Sequence, residues 1–301
     1  MSKGKCQGVI VPMVTPFTLQ GQIDTEAVHR IVNHLIAGGV DGIFVLGTTG
    51  EAASISTSEK QKMVEAAAGY TKNRALVYAG ISGNCIDESI KTAKSYMDLG
   101  VDILVAHVPY YYPLNEDEIF RYFMTLADSV TGPLIIYNIP STTGLSISID
   151  IAEKLSLHER VVGMKDSENT PGRLEAAIDR FSGRNDFAYV VGCAAFSAKA
   201  VALGAAGIVP SAANLQPQLY KALFENARSG NRSAAEKLQE QTDHISVQYQ
   251  KNRSLGQSLA ALKAAMHILG FCGPTVLAPL ETLQEEDIAE IEKQMATVII
   301  S

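Results

Sequence analysis

Eight short runs rich in β-branched and other apolar residues alternate with longer stretches of helical periodicity along the first 230 residues. The predicted strands are 8–13, 42–46, 75–79, 103–106, 134–137, 161–165, 187–191 and 207–209. The predicted helices between them are 25–37, 57–71, 87–99, 116–129, 149–155, 171–181, 196–203 and 217–229. Near-continuous apolar strands joined by helices are typical of a parallel sheet that is covered on both faces. Eight such units in succession predict an α/β fold, a (β/α)8 TIM barrel.

A doubly wound sheet is the alternative fold. Such a sheet usually carries a glycine-rich turn after its first strand, whereas residues 12–17 here read Pro-Met-Val-Thr-Pro-Phe. After residue 230 the pattern is helical only, at 234–250, 255–269 and 285–298, with a break at 270–274. We therefore predict a barrel domain at 1–230 that carries the active site and a C-terminal helical extension at 231–301.

The charge and hydropathy of the chain exclude several classes of function. The chain has 25 Lys and Arg against 32 Asp and Glu, a net charge of −7, and no basic block that would suit nucleic acid. Its apolar runs end well before the ~18 residues that a membrane span needs. The segment 1–6 shows no apolar signal-peptide core. We expect neither a nucleic-acid nor a membrane partner.

The cysteines and histidines show no spacing typical of a metal site or of a disulfide framework. The four cysteines are far apart and form no CxxC pair, and the six histidines form no HxH or HxxxH pair. We therefore expect no metal and no cofactor, and the cysteine pattern favours a cytoplasmic location.

Two reactive side chains close predicted strands. Lys165 ends the apolar run Val161–Met164, and Tyr137 ends another. A buried ammonium is costly, and a lysine in apolar surroundings loses its proton more easily and becomes an amine nucleophile. A strand-end lysine of purely structural role is the alternative for Lys165 alone. Because catalytic groups of a barrel lie at the carboxyl ends of its strands, the pair predicts an active site there.

Two loops after other strands carry polar groups that could bind a ligand. Gly47-Thr48-Thr49-Gly50-Glu51 follows the second strand, and its glycines let backbone N–H groups approach a ligand closely while two hydroxyls can donate to a carboxylate. Three tyrosines at 110–112 lie between prolines after the fourth strand. Aromatic packing at a subunit contact would explain two of these three.

Taken together, these motifs resemble those of the dihydrodipicolinate synthase/N-acetylneuraminate lyase superfamily of pyruvate-handling class I lyases. The matching segments are GTTGE (47–51), PYYYP (109–113), YNIPSTTG (137–144), GMKDS (163–167) and LGAAGIVPSAAN (203–214). The resemblance runs from about residue 8 to residue 300.

The resemblance implies specific roles for residues of the active site. Lys165 would form the Schiff base with the 2-oxo acid, and Tyr137 would donate and accept protons. Thr48 would connect Tyr137 to Tyr111, which in this family reaches the neighbouring subunit's site across a dimer interface. A homotetramer built from dimers is therefore expected.

The same resemblance implies which residues bind substrate. Thr49 would bind the pyruvate carboxylate with the help of Gly47, and Val209 would present its backbone carbonyl to the site. Thr142 stands where the synthases carry an arginine that clamps the second substrate's carboxylate. Gly192 is followed by small apolar residues, where sialic acid lyases carry an acidic pair.

These departures favour the 2-oxo acid aldolase branch of the superfamily. The leading prediction is an aldolase for 4-hydroxy-2-oxoglutarate or a 2-keto-3-deoxy sugar acid, with a 2-oxo acid and an aldehyde as its small-molecule partners. The alternatives are a 4-hydroxy-tetrahydrodipicolinate synthase and an enzyme like N-acetylneuraminate lyase. A non-catalytic barrel that binds oxo acids is the alternative from a different class of protein.

Overall fold

The computed structural model describes residues 6–299, in which eight parallel strands close into a barrel. Each strand pairs with the next one along the chain, and the last pairs with the first. The strands are β1 (Gly8–Pro12), β2 (Gly42–Val45), β3 (Leu76–Gly80), β4 (Ile103–His107), β5 (Leu134–Asn138), β6 (Val161–Asp166), β7 (Ala188–Val191) and β8 (Gly207–Ile208). The predicted TIM barrel is confirmed, and the alternative of a doubly wound sheet is wrong.

Helices connect the strands and continue beyond the barrel. They are α1 (Thr25–Ala37), α2 (Thr57–Thr71), α3 (Ile86–Asp98), α4 (Glu116–Ser129), α5 (Pro140–Thr143), α6 (Ile149–Leu155), α7 (Arg173–Phe181), α8 (Ser197–Leu203), α9 (Pro217–Arg228), α10 (Arg232–Gln250), α11 (Leu255–Ile268) and α12 (Glu285–Ile299). The single turn α5 was not predicted, because four residues are too few to show a helical period. Within residues 6–299, none of the helices has both the length and the apolar character needed to span a bilayer.

The side chains of each strand alternate between two apolar cores. On β4, Ile103 and Val105 belong to the cluster inside the barrel, whereas Leu104 and Ala106 belong to the larger cluster between barrel and helices. Tyr137 belongs to the inner cluster as well. This period of two decides which strand-end residues face the mouth of the barrel.

A buried ion pair joins the helical extension to the loop after β2. The side chains of Glu51 and Lys263 are each only 1% exposed and form a salt bridge. Lys263 also donates to the carbonyl of Thr275 at 2.9 Å, and Glu51 accepts from the backbone N–H of Leu277 at 3.1 Å. The pair thus crosses the domain boundary predicted at residue 230. Of the two predicted domains, residues 1–5 and 300–301 lie outside the described residues.

We predict that Lys263→Met strongly destabilises the protein. The substitution leaves the carboxylate of Glu51 buried without its cation, and breaking such a pair typically costs about 3–5 kcal/mol of the free energy of unfolding. Urea denaturation followed by circular dichroism, at one fixed protein concentration, measures the loss.

Two further variants test the cause of that loss. The double variant Glu51→Gln, Lys263→Met should recover part of the stability, because no charge then remains buried. Lys91→Met removes the exposed pair between Lys91 and Glu88 and should change the free energy by less than about 1 kcal/mol. Equal losses in Lys263→Met and Lys91→Met would contradict the assignment.

Candidate active site

The carboxyl ends of β5 and β6 bring the predicted lysine and tyrosine side by side. Tyr137 on β5 is the register partner of Lys165 on β6, and Lys165 in turn faces Val190 on β7. The side-chain nitrogen of Lys165 lies 3.9 Å from the centre of the Tyr137 ring. The two reactive groups therefore share one site at the mouth of the barrel.

Lys165 lies in an aromatic and nearly dry environment. It is 6% exposed, and its side-chain nitrogen lies 4.9 Å from the centre of the Phe44 ring as well as near Tyr137. The predicted burial of Lys165 is confirmed, although β6 continues by one residue to Asp166.

The electrostatic environment of Tyr137 favours its deprotonated form. Burial by itself raises the pKa of this phenol, and the charge of Lys165 offsets part of that increase. Hydrogen bonds from Ser167, Thr48 and Lys165 lower it further, so that the pKa of Tyr137 lies below its ordinary value. The hydroxyl of Ser167 lies 3.5 Å from the phenol oxygen. A phenol with a lowered pKa beside an amine can exchange protons with it and with a bound ligand.

The loop after β2 makes a tight turn that brings Thr48 to Tyr137. Leu46 and Glu51, which flank the loop, both adopt left-handed backbone with φ of 56°. A side chain at Gly47 would place its Cβ 2.8 Å from the Phe44 ring, so only glycine fits there. Thr48 hydrogen bonds to Tyr137, and Thr49 is 9% exposed. Strained turns of this kind are frequent at functional sites.

Val209 and Gly192 lie at the ends of the neighbouring strands, as predicted. Val209 follows β8, belongs to the cluster inside the barrel, and donates its N–H to the carbonyl of Val191 at 2.8 Å. The N–H of Gly192 donates to the carbonyl of Asp166 at 2.7 Å. A Cβ on Gly192 would lie 2.1 Å from the hydroxyl oxygen of Ser167. Glycine at this position therefore lets the chain after β7 pack against the residue that follows β6.

Thr142 and Tyr111 are exposed on the loops around the mouth. The hydroxyl of Thr142, in α5, donates to the carbonyl of Ile139 at 3.2 Å. Tyr111 is 76% exposed, and its ring packs edge-on against Tyr112 with 5.1 Å between the ring centres. A single chain thus brings together Thr48, Tyr137 and Lys165 but leaves Tyr111 outside.

A buried polar network holds the ends of β5 and β6 in place behind the site. Asp166, whose side chain is 1% exposed, forms an ion pair with Arg173 at 2.8 Å. It also accepts from Asn138 at 2.8 Å and from Tyr189 at 3.1 Å. Asn138 and Asp166 each follow a reactive residue directly, so the network fixes the positions of Tyr137 and Lys165. The sequence analysis did not identify this network.

His107 is a further residue of the mouth that the sequence analysis missed. It ends β4, is the register partner of Tyr137, and has 6.3 Å between its ring centre and that of Tyr137. The alternation along β4 is the signal that could have identified it, because His107 lies two residues beyond the inward-facing Val105. Within residues 6–299, no group of three or more His, Cys, Asp or Glu side chains could hold a metal ion.

We predict that Lys165→Met raises the pKa of Tyr137. The substitution removes both a positive charge and a hydrogen bond that favour the phenolate. Alkaline titration of tyrosinate absorbance measures the change, with Tyr137→Phe identifying the contribution of this residue. Lys199→Met, which removes a lysine that is 57% exposed and paired with Glu175, serves as the control. An equal pKa in Lys165→Met and in the unaltered protein would contradict the proposed coupling.

Comparisons with known proteins identify the relatives of this chain. The model of the dihydrodipicolinate synthetase family matches residues 5–298. A 4-hydroxy-tetrahydrodipicolinate synthase of Bartonella bacilliformis is 29% identical over 97% of this chain and 99% of its own. The dihydrodipicolinate synthase structure of Bacteroides thetaiotaomicron has a TM-score of 0.92 and 32% identity, covering 97% of this chain and 98% of its own.

A third similar protein was solved with a ligand. YagE from Escherichia coli K12, described as a member of the dihydrodipicolinic acid synthase family in complex with pyruvate, has a TM-score of 0.92 and 27% identity. The match covers 98% of this chain and 99% of that one. The family match spans nearly the whole chain, and the members of this family are lyases that form carbon–carbon bonds through a Schiff base with pyruvate. The protein thus belongs to the dihydrodipicolinate synthetase family and is a carbon–carbon lyase of the Schiff-base type.

Proposed function

We propose that the protein is a class I aldolase that cleaves or forms 2-oxo acids with pyruvate as one product or substrate. The best candidates are 4-hydroxy-2-oxoglutarate and 2-keto-3-deoxy sugar acids. The observation that carries the proposal is the distance of 3.9 Å between the nitrogen of Lys165 and the Tyr137 ring inside the mouth of the barrel.

In the cleavage direction the amine of Lys165 attacks C2 of the 2-oxo acid, and water leaves to give a protonated imine. The imine accepts the electron pair of the C3–C4 bond while the C4 hydroxyl loses its proton, so that the aldehyde departs and an enamine remains. Protonation at C3 and hydrolysis then release pyruvate and restore the amine. Tyr137 carries the protons in these steps, which is typically worth about 10²–10⁴-fold in rate.

The loop after β2 suits the carboxylate end of the substrate. Thr49 and the backbone beside Gly47 would bind the pyruvate carboxylate, while Thr48 would hold the phenol of Tyr137. Gly192 and the carbonyl of Val209 would line the opposite side. These groups supply hydrogen-bond donors for a carboxylate next to a nucleophile, the arrangement that imine formation needs.

The residue at 142 argues against the synthase, which is the second candidate. Thr142 is exposed and uncharged, where the synthases place an arginine for the carboxylate of the second substrate. Losing a charge-assisted contact of this kind costs about 1.5–3 kcal/mol of binding. The names of the Bartonella and Bacteroides relatives support the synthase, at 29% and 32% identity.

The residues after β7 argue against a sialic acid lyase. Cys193, Ala194 and Ala195 follow Gly192 and offer no carboxylate to the hydroxyls of a long sugar. Burial raises the pKa of the Cys193 thiol, so this side chain is neutral and only weakly polar. We also propose a cytoplasmic location, which is consistent with four cysteines that form no disulfide within residues 6–299.

Reductive trapping tests the proposed nucleophile. Incubation with pyruvate and borohydride should attach a reduced pyruvyl group to Lys165, located by peptide mass spectrometry. Lys165→Met should remain unlabelled, whereas the exposed-lysine control Lys199→Met should label like the unaltered protein. Absence of the adduct from the unaltered protein would refute the proposal.

A substrate panel separates the candidate functions. Pyruvate condensation should be faster with glyoxylate or glyceraldehyde than with aspartate semialdehyde or N-acetylmannosamine. Thr142→Arg should improve the kcat/KM for aspartate semialdehyde by about 10-fold or more, because it restores a charge-assisted contact. Efficient turnover of aspartate semialdehyde by the unaltered protein would instead establish the synthase.

We further propose a homotetramer of dimers in which Tyr111 completes the neighbouring subunit's site. Tyr111 is 76% exposed in the single chain, which supports this arrangement because its side chain is free to contact a neighbouring subunit. Coexpression of Lys165→Met with Tyr111→Phe should recover activity that each variant lacks alone, because mixed dimers then contain one intact site. Failure of the mixed protein to exceed the two parents would exclude the sharing of Tyr111.

A further inference from the structure

His107 faces the mouth of the barrel but has no part in the chemistry proposed above. It follows Ile103 and Val105 at intervals of two along β4, and both of these residues belong to the cluster inside the barrel. Its register partner on β5 is Tyr137, whose own partner on β6 is Lys165. The three side chains therefore form a row across neighbouring strands, with His107 on the far side of Tyr137 from the nucleophile.

The hydrogen bonds of His107 fix the state of its ring. Its Nδ1 lies 2.7 Å from the carbonyl oxygen of Val108. A carbonyl oxygen only accepts, so Nδ1 carries the hydrogen and the neutral ring leaves its Nε2 as an acceptor. Burial lowers the pKa of His107, the bond to Val108 opposes that change, and the charge of Lys165 lowers the pKa further. The ring is therefore neutral near pH 7.

The Nε2 atom of His107 remains accessible. In the part of the chain that the structure describes, the fully buried side-chain polar atoms without a hydrogen-bond partner belong to Ser89, Tyr122 and Ser197. Because Nε2 of His107 has no described partner and is not among these atoms, it keeps some exposure. The only described hydrogen bond of the ring is the one through Nδ1. Packing holds the ring in place, with its centre 6.2 Å from that of Tyr110 and its backbone N–H donating to the hydroxyl of Ser82 at 2.8 Å.

We propose that Nε2 of His107 accepts a hydrogen bond from a hydroxyl group on the aldehyde-derived part of the substrate, so that the enzyme prefers hydroxyaldehydes. This inference rests on the proposed aldolase function and, of its two candidate substrate classes, favours the 2-keto-3-deoxy sugar acids over 4-hydroxy-2-oxoglutarate, whose aldehyde-derived part carries a carboxylate. In the proposed complex, with the 2-oxo acid on Lys165 and its carboxylate at Thr49, Tyr137 would lie beside C3, and His107 is the register partner of Tyr137 on the next strand. An acceptor there selects an alcohol, which can donate, and disfavours a carboxylate, which has no proton to give at neutral pH.

A matched pair of aldehydes tests the inference. Glycolaldehyde carries a hydroxyl next to its carbonyl, and acetaldehyde differs from it only by lacking that hydroxyl. The ratio of their kcat/KM values in condensation with pyruvate measures the contribution of the hydroxyl. His107→Phe keeps an aromatic ring but removes the acceptor and should lower this ratio about 5-fold, the usual effect of one neutral hydrogen bond.

Companion variants make the outcome decisive. His107→Gln retains an acceptor and should keep most of the preference, whereas His244→Phe changes an exposed histidine of α10 and should leave the ratio unchanged. If His107→Phe does not fold, the ratio in His107→Ala decides in its place. An unchanged ratio in the variant that folds, with pyruvate trapping intact in the unaltered protein, overturns the role of His107 alone. Failure of trapping in the unaltered protein overturns the aldolase function itself.

Discussion

The parallel pairing of β5 with β6 is the constraint on which the site depends. The register that places Tyr137 opposite Lys165 also places Asn138 opposite Asp166. The first pair faces the mouth of the barrel, and the second joins the polar network behind it. Because neighbouring strands lie about 4.8 Å apart, two side chains at one register position must meet. A slip of one residue would turn one partner away and separate the amine from the phenol.

The two buried lysines Lys165 and Lys263 have different partners, and we assign them different roles for that reason. Lys263 is paired with a carboxylate, and the charge and hydrogen bond of Glu51 oppose the effect of burial, which lowers the pKa of Lys263. Both nitrogens lie over aromatic rings, but among the described residues Lys165 forms no salt bridge, and its influence appears in the lowered pKa of Tyr137. The ion pair of Lys263 with Glu51 connects the loop after β2 to the helical extension. An amine beside a phenol remains available for proton transfer and for attack on a carbonyl.

The strand ends and the loops make different contributions to the proposed chemistry. Lys165 and Tyr137 are held by the strands of the barrel itself. Thr142, Cys193 and Tyr111 lie on segments after the strands, where substitution alters a pocket without disturbing the core. His107 ends a strand beside Tyr137, and our proposal places it on the aldehyde side of the site. Membership of the family therefore establishes the reaction class, while in our proposal the substrate depends on these few positions.

The sequence by itself determined the order of strands and helices and the strand-end positions of Lys165 and Tyr137, because periodicity and apolar runs are local properties of the chain. The eight-stranded barrel followed from counting those units, and the family resemblance pointed to Thr48 and Thr49. Only the tertiary structure decided that Glu51 pairs with Lys263, 212 residues away, and that Asp166 binds Asn138 and Arg173. It also decided that His107 faces inward beside Tyr137 and that Tyr111 lies outside the site of its own chain. These contacts depend on strand register and on which face of a strand meets its neighbour. Both properties arise from the pairing of distant segments, so no single segment of the sequence determines them.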